Sequence, residues 1–245
     1  MLRHKLKAAL YHLVSTACVA LLAGTLVFFI WYPGRMHQML HGSNMYGILM
    51  VLELGLGPLM SLVIFNPKKS KRHLFIDYSI VVAVQISALL YGLYSVSISR
   101  PVFLVFVKDR IEVISAVELL EMDVKEAGRD AEIGWLGPKR VCVEFPVDPK
   151  EKSDLLISAL NGRDIQLFPK YYRQCQEGEI LSKSFSKERL FLMTKIKLSD
   201  LPKNLVEKDF TWLPMVTRFG AWLVIYEKGK KERYLDLNPF DLSEG

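Results

Sequence analysis

Histidine, cysteine and carboxylate side chains carry most protein chemistry, and in this 245-residue chain they are unevenly distributed. All five histidines, His4, His12, His37, His41 and His73, precede residue 100. The C-terminal stretch is the only part large enough to enclose an enzyme site. It therefore lacks the commonest general base and metal ligand. Its two thiols, Cys142 and Cys175, have no histidine beside them to activate a nucleophile. In an oxidising compartment such a pair is a candidate disulfide. No Gly-rich phosphate loop, zinc-ligand cluster or nucleophile elbow occurs, and spacing singles out no acid/base pair of carboxylates. These absences read as a non-enzymatic protein with no catalytic residues, no metal and no cofactor.

Three polar residues, Glu53, Asp77 and Gln85, instead interrupt long apolar runs. Ionisable groups in a membrane span are costly and face the bundle interior. At ~1.5 Å rise per residue and a ~30 Å hydrocarbon core, Glu53 and Gln85 lie at matching depths, ~12–13 Å below the outer ends of their runs. They form a candidate intramembrane polar pair. Asp77 lies near the opposite end and is expected to pair with the basic loop there. Glu53, Gly57 and Ser61 repeat every four residues, giving one face on which another helix can approach closely, from this chain or from another protein. Pro58 lacks an N–H and predicts a kink in the same run.

Three apolar runs, residues 8–32, 45–65 and 74–96, must position these groups. Each matches the ~20 residues that a helix needs to cross a bilayer. With no water to satisfy backbone groups, all three are expected to be helical. Between the second and third lies NPKKSKRH, whose Lys68, Lys69, Lys71 and Arg72 resist translocation and mark the cytoplasmic side. The N-terminal MLRHKLK is likewise basic, while Arg35 alone represents the first outer loop. The first run is longer than the ~7–15 apolar residues of a cleaved signal. It ends in Trp31 and Tyr32, aromatics suited to an interface, and is read as an uncleaved span. With three crossings and a cytoplasmic N-terminus, residues 100–245 lie outside the cytoplasm, which in a Gram-negative cell is the periplasm.

Residues 1–99 hold eight Lys/Arg and two acids, so the remainder balances 24 against 24, and the net charge of +6 belongs to the membrane part. Basic character is thus a topology signal and implies lipid as a partner, not nucleic acid. Residues 100–245 read as one α+β domain with a mainly antiparallel sheet. Residues 102–107 and 111–117 form a hairpin, and 139–145 a third strand. Asp148, Pro149 and Glu151 start a helix that Asn161-Gly162 stops. Helical turns are expected at 187–197 and 201–208. Residues 212–217, 221–227 and 232–237 close the domain as a meander. Tyr171-Tyr172 reads either as core or as a contact surface.

Several segments together resemble one family. They are KLKAALYHL, FFIWYPG, ELGLGPLMSLVIFNPKKS, ALLYGLYSV and SRPVFLVFVKDRIEV, followed by GPKRV, DLLISALNGRDIQLFPKYY and LPMVTRFGAWLVIY. The chain is similar along nearly its whole length to the type IV pilin accessory proteins, the TfpX/TfpZ-like and FimB-like fimbrial assembly proteins. The resemblance implies a bacterial inner-membrane protein that binds type IV pilin, with the pilus assembly machinery as a further candidate partner, to promote or modulate assembly. On that reading Glu53, Gly57 and Ser61 are the candidate pilin-facing helix surface. A membrane-anchored periplasmic sensor acting through a partner is the alternative, weakened by the brevity of the cytoplasmic segments. A pilin-modifying membrane enzyme is disfavoured by the missing histidines and acid pair.

Overall fold

A computed structural model describes residues 2–66, 68–127 and 131–240. The chain divides into two compact units, Met1–Arg100 and Pro101–Gly245.

The first unit is built on three helices long and apolar enough to cross a membrane. Helix α1 (Leu2–Thr25) runs on into a π-helical stretch, Leu26–Trp31. A short α2 (Met36–Met39) occupies the expected outer loop, and α3 (Gly42–Ile64) and α4 (Lys71–Ile98) follow. The helices begin a few residues before the apolar runs, and α4 also ends two residues beyond its own. At α4, Ser70 accepts a hydrogen bond from the His73 backbone N–H. Helix α3 continues through Pro58. Residues such as Leu22, Phe29 and Val63 are exposed by 74%, 78% and 76%, a surface that lipid solvates and water does not.

Helix α3 is the central member, packed against both α1 and α4, while α1 and α4 touch each other little. Gly92 of α4 lets Leu49 of α3 close in, since a Cβ there would collide with the leucine methyls. The Tyr46 hydroxyl donates to the carbonyl of Ala20, and the Tyr32 hydroxyl to that of Val96 at 2.9 Å. Trp31 and Tyr32 are buried, as are Met36, Met39 and Leu40 in the segment that follows. Asp77 pairs with Lys69 at 2.6 Å. Lys68, Lys71 and Arg72 are solvent-exposed.

The second unit is a mixed, mostly antiparallel sheet. Strands β1 (Pro101–Val107) and β2 (Arg110–Ser115) form the expected hairpin, with Lys108 at φ 54° in its turn. After α5 (Glu121–Lys125) comes β3 (Lys139–Val143), which lies parallel to β1. Helix α6 (Pro149–Leu160) starts where the cap predicts, with Asp148 accepting from the Glu151 N–H at 3.0 Å. Two-residue β4 (Tyr172–Arg173), α7 (Glu179–Ser182), β5 (Phe185–Ser186), α8 (Lys187–Met193) and α9 (Lys203–Val206) lead to β6 (Thr211–Thr217). The meander then closes through β7 (Gly220–Tyr226) and β8 (Arg233–Leu235).

The sheet order is β4-β3-β1-β2-β6-β7-β8, with β5 paired to β6. Strand β2 joins β6 in parallel, linking the two halves. Strands buried on both faces read as continuous apolar runs, and all seven residues of β1 are buried. One core gathers around Phe103, Val105, Val141 and Ile165, the other around Leu190, Leu205, Trp212 and Leu223. Tyr172 belongs to the first, its ring 5.1 Å from that of Phe103. A disulfide joins Cys142 of β3 to Cys175, two residues beyond its register partner Arg173, with a Cα–Cα distance of 5.0 Å.

Candidate functional site

The main polar centre of the first unit lies inside the helix bundle and draws on all three long helices. His12 comes from α1, Glu53, Gly57 and Ser61 from α3, and Gln85 from α4. His12 Nε2 lies 2.6 Å from Gln85 Oε1, and His12 Nδ1 lies 2.5 Å from Ser61 Oγ. An amide oxygen only accepts, so Nε2 carries a proton. A neutral ring then leaves Nδ1 free to accept from the Ser61 hydroxyl. An uncharged ring is thus able to make both contacts, an arrangement that suits an apolar surrounding.

Gly57 makes this centre possible. A Cβ on it would collide with Gln85 Nε2 and stand 3.0 Å from His12 Nε2. Glu53, one turn earlier, occupies the middle of α3, ~16 Å from either helix end at ~1.5 Å per residue. Its side chain is 6% exposed, and no described residue hydrogen-bonds to its carboxylate. It lines a cavity of about 580 Å³ between α1 and α4, together with His12 and Gln85. A second cavity, of about 390 Å³ between α3 and α4, also reaches Glu53 and Gln85.

Glu53, Gly57 and Ser61 do share one face, but that face turns into the bundle, where Ser61 is 1% exposed. The sequence left the partner of this face open between this chain and another protein, and the helices of this chain meet it at Gly57 and Ser61. The inward turn follows from the polar partners that α1 and α4 present to it. Glu53 and Gln85 line the same cavities, yet the Gln85 amide oxygen is taken by His12 and not by Glu53. His12 escaped the reading of the sequence, where the histidines entered only through their distribution. Its signal was present: an imidazole inside an otherwise apolar first run.

In the second unit the charged groups tie segments together. Arg140 donates two hydrogen bonds to Glu232, at 2.6 and 2.7 Å. Burial pushes the neighbouring Tyr226 and Tyr234 hydroxyls well above the usual phenol range, which keeps them protonated. Arg173 clasps Glu179 with bonds of 2.6 and 2.9 Å, and these hold the Glu179 carboxyl down at about 2. Burial raises Glu112, against the pull of Arg110 at 2.7 Å. Among the described residues no three His, Cys, Asp or Glu side chains gather where a metal ion could be held. Among the described residues the geometry offers hydrogen-bonding and apolar surfaces.

Comparison with known proteins places this geometry in a family. The model for fimbrial assembly protein FimB matches residues 1–34. The fimbrial assembly protein of serogroup I from Dichelobacter nodosus is 27% identical over 246 residues, covering 96% of this chain and 95% of that protein. The serogroup E1 protein of the same organism is 26% identical over 94% of each chain. The protein of serogroups C1 and C2 is 32% identical over 120 residues, which span 49% of this chain and 91% of that relative. No solved structure matches the chain. Matched almost end to end by two of these proteins, and at 32% identity across nearly all of a third, the chain belongs to the fimbrial assembly protein family.

Proposed function

We propose that the protein is a non-enzymatic accessory factor of the bacterial inner membrane that binds type IV pilin subunits and promotes or modulates their assembly into pili. In this reading the N-terminus is cytoplasmic and the second unit is periplasmic. The observation that carries it is similarity to fimbrial assembly proteins along both units, not in one alone. The physical form supports it. A membrane bundle with an intramembrane cavity suits the apolar helix of a subunit awaiting assembly. The second unit also leaves Leu156, Ile157 and Leu160 of α6 exposed, an apolar strip of the kind that marks protein contacts.

The test is genetic and biochemical together. Deleting the gene from its native host is expected to remove or strongly reduce surface pili while pilin persists in the membrane. Affinity capture of the full-length protein from solubilised membranes is expected to recover pilin. Normal piliation in the deletion strain, with no pilin recovered, would overturn the reading.

A further inference from the structure

We infer that the open cavity between α1 and α4 is the seat for a partner's membrane-spanning helix, and that the Glu53 carboxylate recognises a hydrogen-bond donor on that helix, a protonated amine best of all. The inference rests on the proposed role in subunit assembly and locates where the subunit would bind.

Three observations carry it. The first is shape. Because α3 packs against both α1 and α4 while those two barely touch, a groove opens along α3. Its walls are Ala8, Tyr11 and Val19 on α1 and Tyr78, Val82 and Leu89 on α4. On each side the outermost positions lie eleven residues apart, roughly 16 Å of helix. That length fits about three turns of a further helix.

The second observation is an unsatisfied group. Glu53 is 94% buried and no described residue hydrogen-bonds to its carboxylate. The nearby His12 ring makes its hydrogen bonds to Ser61 and Gln85 and none to Glu53. Other polar groups of the bundle have partners within it: Asp77 has Lys69, Tyr32 has the Val96 carbonyl, and Tyr46 the Ala20 carbonyl, while the Tyr78 hydroxyl, on the wall of the same groove, is buried without one.

The third is complementarity, which selects the occupant. An acyl chain would fill the groove but offers no donor at mid-span depth, so the carboxylate would stay unpaired in hydrocarbon. A helix that carries one amine or similar donor at that depth supplies both the apolar filling and the missing partner. The adjoining cavity between α3 and α4 also reaches Glu53, but it lacks His12 and is smaller, at about 390 Å³ against 580 Å³.

Photocrosslinking in native membranes tests this with the full-length protein. Photoreactive residues at Tyr11 and Val82 report on the proposed groove, and those at Leu56 and Val84 on the second cavity. Adducts from Tyr11 and Val82 are expected to map to the apolar helix of the fimbrial subunit. Glu53→Gln keeps the side chain's shape and is expected to reduce those adducts at least tenfold with an unchanged unfolding midpoint. Lipid adducts alone, adducts only from Leu56 and Val84, or groove adducts that persist in Glu53→Gln would each overturn the inference. Recovery of the subunit by affinity capture separates the two levels. Capture without groove adducts sinks the groove and leaves the assembly role standing, whereas loss of capture sinks the assembly role itself.

Discussion

Gly57→Leu tests whether the polar centre holds the three helices together. The substitution leaves the apolar character of α3 intact, so membrane insertion should be unaffected. A leucine side chain, however, must occupy space already held by the Gln85 amide and the His12 ring. Accommodating it means moving those groups apart and losing both His12 hydrogen bonds. Interhelical hydrogen bonds in membranes are worth ~0.6–2 kcal/mol each. Overpacking adds ~1–3 kcal/mol. Leucine's better helix propensity returns only ~0.8 kcal/mol. The net expectation is a loss of about 1.5–6 kcal/mol of bundle stability. Gly55, two residues away on the same helix, is the control, because nothing lies within 4 Å of a Cβ placed there. Gly55→Leu should therefore leave stability unchanged or slightly raised. SDS-driven unfolding in mixed micelles, followed by a fluorophore pair on α1 and α3, reads both variants. Equal tolerance of the two leucines would refute the packing argument.

Three further outcomes are expected. Replacing Cys142 and Cys175 by alanine removes a link across 33 residues and should cost roughly 3–4 kcal/mol of second-unit stability, while non-reducing mass mapping of the natural protein recovers a linked peptide; two alkylatable thiols there would exclude the bond. The Glu179 carboxyl is held at about 2, below its unfolded value, so its ion pair stabilises above pH ~4.5 and is lost as pH falls through about 2; Glu179→Gln should flatten acid unfolding by about 1 kcal/mol once solvent screening is allowed for, and an unchanged acid profile would discount the clasp. A periplasm-active reporter fused after Leu237 should be active and one fused at Ser70 inactive, and the opposite pattern would invert the topology.

The fold was legible where local chemistry decides. Continuous apolar runs gave the three long helices, since nothing else satisfies the backbone in lipid. Asp148, Pro149 and Gly162 gave both ends of α6, because a cap and a left-handed stop are local features; Gly162 takes φ 83°. Alternation and turn residues likewise gave the β1–β2 hairpin and the closing meander. The parallel joins of β1 with β3 and of β2 with β6 were not legible. They are long-range choices made by burial, and an apolar strand looks the same whichever neighbour it pairs with. The two-residue strands β4 and β5 carry too few residues for any period to show.

The candidate site was legible in depth and illegible in rotation. Counting residues from the helix ends put Glu53 and Gln85 at matching depths, and both do line the same cavities. What counting cannot give is the angle of each helix about its own axis. In water an apolar stripe sets that angle by seeking the core, but lipid solvates apolar side chains as well as the protein interior does. The rotational information therefore moves to the few polar groups. His12, Ser61 and Gln85 satisfy one another only if α1, α3 and α4 each turn those residues inward, and Gly57 permits the approach. Once that set is complete, Glu53 is carried to the edge of the same inward face and left looking into the groove. A group placed by its neighbours' hydrogen bonds, yet given none of its own, is the one whose partner should be sought outside the chain.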